Sequence, residues 1–337
     1  MKKSFKLLSL ALSLSLLVVS GCSKGSDSKG SGDVKVMKLG IVTNSDRSLT
    51  KGLKKFAEII EKESGGKLKG EVFADGLLGG DRQVLEALQM GTVQGTAVST
   101  GVVAAFAPRF DAFDLPYLFK DKATAYKVFD GPIGTELLND LPKAKLIGLG
   151  YWENGFRHVT NNKRPIQTAE DFKGLKLRTL ESKVHVEFWK LMGTNPTPMS
   201  FSQLYSAMEQ GVVDGQENPY GNVVSSKFNE VQKYLSNTGH VYNANVFLVS
   251  KVFWDKCTDK EKEIIKKAAI EARDYQRKLN EEEDQTSVKL LTDKGMKIND
   301  LNPGEKEKIM EMAKPLYESV SKSIGGDLVD RIIAAAK

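Results

Sequence analysis

The chain has 337 residues, 40% hydrophobic and 27% charged, with a formal charge of +6. Lys2, Lys3 and Lys6 supply three of those charges and residues 1–21 hold no acid, so the remainder carries only +3. Lys and Asp/Glu then alternate along the later segments as on a solvated face, so the basic balance is no argument for nucleic acid. His158, His185 and His240 are scattered and no CxxC or HExxH spacing occurs, which argues against a metal held by protein ligands; no cofactor motif appears either.

The N-terminus reads as an export signal. Three lysines precede the apolar run LLSLALSLSLLVV (7–19), which is too short to span a bilayer comfortably, and VSGC (19–22) follows. The small residues before Cys22 resemble a bacterial lipobox. Residues 1–21 are therefore expected to be a lipoprotein signal peptide, with Cys22 lipidated and the protein held outside the cytoplasm on the cell membrane. SKGSDSKGSGD (23–33) is nearly devoid of apolar residues, so residues 22–33 form a flexible tether. Lipidation would occupy Cys22 and leave Cys257 alone, so the body relies on its core and not on a disulfide.

From Val34 onward, strands and helices alternate. VMKLGIV (36–42) has the apolar density of a buried strand. Leu49, Leu53, Phe56, Ile59 and Ile60 then recur at helical spacing until Gly65 and Gly66 stop the helix. LKGEVFA (68–74) is the next strand, followed by a helix from Asp81 and a strand near Val93. This β-α-β-α-β order predicts an α/β fold with a mostly parallel sheet. LEALQMGTVQG (85–95) and YSAMEQGVVDG (205–215) share Ala, Gly, Val and Gly at matching places, 120 residues apart. Each reads as a helix ended by a left-handed Gly and running into a buried strand, which fits two domains of related wiring. Ligands of open α/β sheets bind beyond the strands' carboxyl ends, which places Ser99 and Thr100 opposite Gln216, Glu217 and Asn218 across a cleft. Asp259 to about Thr292 forms a long helix capped by Thr258 or Asp259. Its apolar stripe is Ile264, Ile265, Ala268, Ala272, Tyr275 and Leu279. A last helix contains Pro315, a potential kink or break.

Two arginines stand out because their surroundings are apolar. Arg157 lies in a β-rich run after Gly155, and Arg178 ends a short strand. Thr168 and Asp171 form a capping box in the turn between them. A strand-end Arg offers a planar fork to a carboxylate, or pairs with a neighbouring acid. Glu209, Asp214 and Glu217 are the acids of the 205–218 segment. Glu209 reads as solvated and Asp214 as a strand-edge residue, and no nucleophile elbow or phosphate loop accompanies Glu217. Phe201 and Trp152 could wall a pocket, whereas Trp189 belongs to a helix core.

At these residues a family emerges. GLKLR (174–178), NPTPMSFSQLYSAMEQGVVDGQENP (195–219), LLGGDRQVLEALQMG (77–91), DAFDLPYLF (111–119) and FRHVTNNKRPI (156–166) resemble the extracytoplasmic solute-binding proteins of TRAP transporters, the DctP type. The resemblance runs from about Val36 to the C-terminus. It implies a two-domain, periplasmic-binding-protein-like fold with a cleft between the domains and a long helix spanning both. It also implies a non-enzymatic receptor that captures a small organic acid and passes it to TRAP permease membrane subunits; a monomer is the default expectation. Residues 34–154 with about 245–283 would form domain I, and 155–244 with about 284–337 domain II. Arg178 matches the arginine that grips the ligand carboxylate, Arg157 an assisting arginine, Asn218 a donor to the same carboxylate and Phe201 an aromatic beside it. Asp81 and Arg82 match a region that touches the ligand's far end. Glu181 and His185 either discriminate polar substituents or cap and pack a helix. A ligand sensor, or a hydrolase using Glu217 and a second acid, is the alternative.

Overall fold

The computed structural model describes residues 34–337. The expected signal peptide, Cys22 and the tether lie outside the described residues. Val34–Lys337 is one compact unit. No helix among the described residues is long and apolar enough to cross a membrane.

Nine strands build one sheet: β1 (Lys35–Gly40), β2 (Leu68–Phe73), β3 (Gly95–Ser99), β4 (Leu146–Asn161), β5 (Lys176–Thr179), β6 (Asn195–Pro198), β7 (Gly215–Asn218), β8 (Tyr234–Ser250) and β9 (Lys297–Asp300). Their order is β2-β1-β3-β8-β4-β7-β5-β6, with β9 on one end of β8. The order is palindromic: β5, β6 and β7 repeat β1, β2 and β3 about the central pair. Within each lobe the strands are parallel, as the alternating pattern predicts. The two longest strands, β4 and β8, are antiparallel to each other and to β7 and β3, and they run through both lobes.

The matched segments at 85–95 and 205–215 repeat bond by bond. Gly91 and Gly211 both adopt the left-handed conformation, with φ of 80° and 69°. Their N–H groups bond Leu88 O and Met208 O, both at 3.1 Å. The next N–H groups, of Thr92 and Val212, reach back to Ala87 O and Ala207 O at 3.0 and 2.9 Å. Gln94 and Asp214 then donate to Lys38 O and Lys176 O, starting β3 against β1 and β7 against β5. A left-handed residue is what lets the chain leave the helix and enter the sheet within two residues.

The helix Asp259–Asp293 spans 35 residues and is capped by a Thr258–Glu261 box. At 1.5 Å per residue it is about 52 Å long, enough to lie across both lobes. It packs on the helix Ser48–Glu63 at one end and on the helix Tyr220–Ser225 beyond. Its buried stripe keeps Ile265, Ala268 and Ala272 but continues through Gln276 and Asn280, leaving Tyr275 exposed and Leu279 half-buried. The cause is the bulged crossing of β4, whose free backbone groups need polar partners. Gln276 Oε1 accepts from Glu153 N at 2.9 Å while its Nε2 donates to Glu153 O at 2.8 Å.

Two expectations for the C-terminus change. The helix Glu305–Ile324 runs through Pro315 unbroken, because Pro315 lies on the exposed side while Ile309, Ala313, Leu316 and Val320 anchor the other. Residues 284–337 also do not all belong with the second lobe. The helix Leu328–Ala335 returns to the first, where Arg331 Nη1 meets Glu136 Oε2 at 2.8 Å. Tyr317 reaches Pro116 O at 2.7 Å. The C-terminal helices thus straddle the lobes.

Candidate functional site

The site gathers at the carboxyl end of β5. Arg178 is 1% exposed. Its Nε and Nη2 both donate to Met199 O, at 3.0 and 2.7 Å, which fixes the guanidinium by one edge. Nη1 is buried with no partner. The Nη1–Nη2 edge is therefore preset for a bidentate anion. Burial, offset in part by Glu217, brings the Arg178 pKa down to about 10, so the cation persists at neutral pH. An unpaired buried charge of this kind is costly unless something arrives to neutralise it.

Phe201 lies beside it, with the guanidinium carbon 6.0 Å from the ring centroid. Asp81, at the start of the helix Asp81–Met90, faces Arg178 from the other lobe. Burial raises the Asp81 carboxyl to about 7, Arg178 opposes the shift and Glu181 adds to it. The lobes meet here: Gly80 lies against Ser200, and Gly101 against Ser182, so closely that a methyl group on either would collide or crowd. At the mouth a cavity of about 480 Å³ opens, lined by Val42, Asn44, Asp75, Phe201 and Tyr205 among others.

The second arginine behaves differently. Strand alternation puts Arg178, Gln216 and Asn218 on one face of the sheet and Arg157 with Glu217 on the opposite face. Arg157 is fully buried and paired with Glu217, through Nε to Oε2 and through Nη2 to Oε1 at 2.9 Å. Nη2 also reaches Glu217 O at 2.6 Å, and Nη1 reaches Asn243 Oδ1 at 3.3 Å. One N–H remains, so Arg157 braces the strand instead of presenting a free fork. Glu217 in turn contacts His240 Nε2 at 3.0 Å. Burial pushes the Glu217 carboxyl up, but Arg157 and the His240 bond outweigh it and hold the group well below the usual range. Burial also lowers His240, so it stays neutral, donates from Nε2 and accepts from Thr238 at Nδ1. Glu217 is thus held as an anion between Arg157 and His240.

Asn218 sits on the Arg178 face. Its Nδ2 donates to Gln216 Oε1 at 2.5 Å and its Oδ1 accepts from Asn222 at 2.9 Å, leaving one amide N–H free. Ser99 and Thr100 do not line open space; they accept from Asn243 at 2.9 and 3.5 Å. His185 Nε2 lies 3.1 Å from Asp114 Oδ1. Besides Arg157, Ser99 and Thr100, Trp152 and Arg82 also depart from the expected site. Trp152 is a core residue, stacked on Phe247 at 5.0 Å and 9°, because its place on β4 points it toward the Ser48–Glu63 helix side. Arg82 is exposed and pairs with Glu86 one turn along, since it projects about 100° round the helix from Asp81.

Arg47 was not anticipated. It is fully buried and ties four segments together, bonding Asn222 Oδ1 at 2.7 Å, Asn280 Oδ1 at 2.7 Å and Asn154 O at 2.8 Å, and pairing with Glu283. Apart from the adjacent Ser48, its partners lie 107 to 236 positions away, so no local pattern marks it.

The family model for bacterial extracellular solute-binding proteins, family 7 (DctP), matches residues 39–323. The chain belongs to this family. Among family 7 relatives, it is 37% identical to a solute-binding protein of Verminephrobacter eiseniae, with 89% of each chain covered. It is 35% identical to the C4-dicarboxylate-binding periplasmic protein DctP of Rhodobacter capsulatus, over 89% of this chain and 90% of that one. The sugar acid binding protein DctPAm of Advenella mimigardefordensis, solved with galactonate, superposes with a TM-score of 0.88 at 39% identity, covering 90% and 98% of the two chains. The two-lobed α/β architecture is that of this family.

Proposed function

We propose that this chain is the extracytoplasmic solute receptor of a TRAP transporter, and that it captures a small organic acid by its carboxylate and hands it to the membrane permease subunits. The observation that carries the reading is Arg178, buried, held by Met199 O and left with an unpartnered Nη1 where the lobes meet. A carboxylate entering the cleft loses its water, and a planar pair of charged donors replaces it. The free Asn218 N–H lies on the same face and supplies a further donor, with Phe201 as the apolar wall. Names of relatives support the ligand class: one binds C4-dicarboxylates and one was solved with galactonate.

The lobes open and close about β4 and β8, the two strands that pass between them. Cys22 carries the lipid anchor and residues 23–33 give the body its reach, as a monomer. Membrane fractionation of the chain and of Cys22→Ser checks the anchor; equal retention of both removes it.

The receptor reading is tested by a thermal-shift screen against small carboxylic acids and their amides. A ligand at a hundred times its dissociation constant stabilises the fold by about 2.7 kcal/mol. A shift with an acid and none with its amide supports the carboxylate clamp, and recovery of the acid unchanged after incubation separates receptor from hydrolase. Equal shifts with acid and amide, or turnover, overturn it.

A further inference from the structure

We infer that Asp114 and His185 form a proton site between the lobes, so that the receptor takes up one proton from solvent when it closes on its solute. The inference rests on the reading of the chain as a receptor whose lobes close around an acid.

Asp114 ends the short helix Pro108–Asp114 in the first lobe, and His185 lies in the helix Lys183–Leu191 of the second. Both are 1% exposed. His185 Nε2 is 3.1 Å from Asp114 Oδ1, and among the described residues the only other donor to that carboxylate is the amide of Asn243, at 3.3 Å. No Lys or Arg among them pairs with Asp114. On the other side of the ring, His185 Nδ1 is buried without a hydrogen-bond partner and lies 4.0 Å from Glu217 Oε1. Both ring nitrogens thus face a carboxylate. A neutral imidazole has a single N–H and would turn a bare lone pair toward one of these acceptors, whereas an imidazolium donates from both sides.

The charges around the ring point the same way. From β7, Glu217 brings a negative charge that Arg157 on β4 cancels. From β8, burial keeps His240 neutral. Arg178 lies across the sheet and is matched by the solute's carboxylate. On the helix of His185 itself, Lys183 and Glu187 are 3.9 Å apart and offset one another. Asp111, half-buried one turn before Asp114, adds a further acid on that side. The charge of Asp114 therefore stays uncancelled in the interior until a proton joins the pair, and an uncompensated buried charge is strongly disfavoured.

The proton is required only when the lobes meet. Apart, both groups face water, where a carboxylate keeps its charge without a partner and an imidazole is mostly neutral above pH 7. Closure removes that water in the same contact that packs Gly101 of the first lobe against Ser182 and Asp114. The closed state then holds more protons than the open one, so acid binding strengthens as pH falls. It weakens as pH rises, by about tenfold per pH unit where the uptake is a full proton.

Calorimetric titration at about pH 8, repeated in buffers of different ionisation enthalpy, counts the protons taken up per solute bound. The solute used is the acid that shifts the protein most in the thermal screen. The parent is expected to take up about one proton. His185→Gln, whose amide still donates to Asp114, and Asp114→Asn, which removes the charge, should each take up at least about half a proton less and bind with a flatter pH profile above neutrality. Asp81, whose carboxyl lies near 7, contributes alike to parent and variants, so the difference belongs to the pair. Uptake unchanged in either folded variant overturns the inference and leaves the receptor standing, as does parent binding that ignores both pH and buffer. A panel in which no acid shifts the protein overturns the receptor reading and this inference together.

Discussion

Arg178 is the sharpest place to perturb the molecule. Two N–H groups on its Nη1–Nη2 edge would meet a ligand carboxylate, each as a charge-assisted bond of about 1.5–3 kcal/mol net. Removing the cation leaves the ligand's charge buried and unpaired, which typically costs about 3–5 kcal/mol. Arg178→Met is therefore expected to weaken acid binding by roughly 10²- to 10³·⁵-fold. Arg178→Lys keeps the charge but loses the planar fork and the Met199 anchor, so it should recover only part of this. The unliganded fold should not suffer in Arg178→Met, because an apolar side chain of similar volume replaces a buried, incompletely paired cation. Calorimetry for affinity and thermal unfolding for stability read the two effects apart. A folded Arg178→Met that binds an acid as tightly as the parent would refute the clamp.

Three further substitutions probe the surroundings. Glu217→Gln breaks the buried pair with Arg157 and the bond from His240, and should lower stability by about 3–5 kcal/mol, measured by denaturant titration. Trp152→Ala empties a stacked core position and should cost about 3–5 kcal/mol of stability while leaving the acid's dissociation constant within a few-fold; a large affinity loss would return Trp152 to the site. Asp81 carries a pH signature. Its carboxyl lies near 7 when folded against the ordinary 3.8, so the folded state holds the extra proton between those limits. The stability this group contributes is present at low pH and is lost as pH rises from about 4 through 7. Asp81→Asn should flatten that part of the unligated stability profile, and an unchanged slope would place the Asp81 carboxyl in water.

Much of the fold was legible because local chemistry and tertiary role agree. The Thr168–Asp171 and Thr258–Glu261 caps, the helix from Asp81 and the paired Gly91 and Gly211 stops depend on residues within one turn of each other. Strand-end Arg178 was legible for the same reason: an arginine at the carboxyl end of a parallel strand is placed by the strand itself. Phe201 followed from its position beside the helix that packs on that strand.

What local sequence leaves open is which partner a side chain meets. Arg157 and Arg178 look alike in their segments, yet the register of β4, β7 and β5 sends them to opposite faces, and Glu217 claims the first. Trp152 and Phe201 are both aromatics near the site, and only strand direction sends one into the core. Asp81 and Arg82 are neighbours in the chain but lie about 100° apart around a helix, so one enters the cleft and the other leaves it. By itself the sequence determined most of the elements, their order and the strand-end position of Arg178, since each follows from periodicity, capping and strand ends. Only the tertiary structure decided that Arg157 is claimed by Glu217 while Arg178 meets no acid and is held by Met199 O, because such partners are met through space and not along the chain.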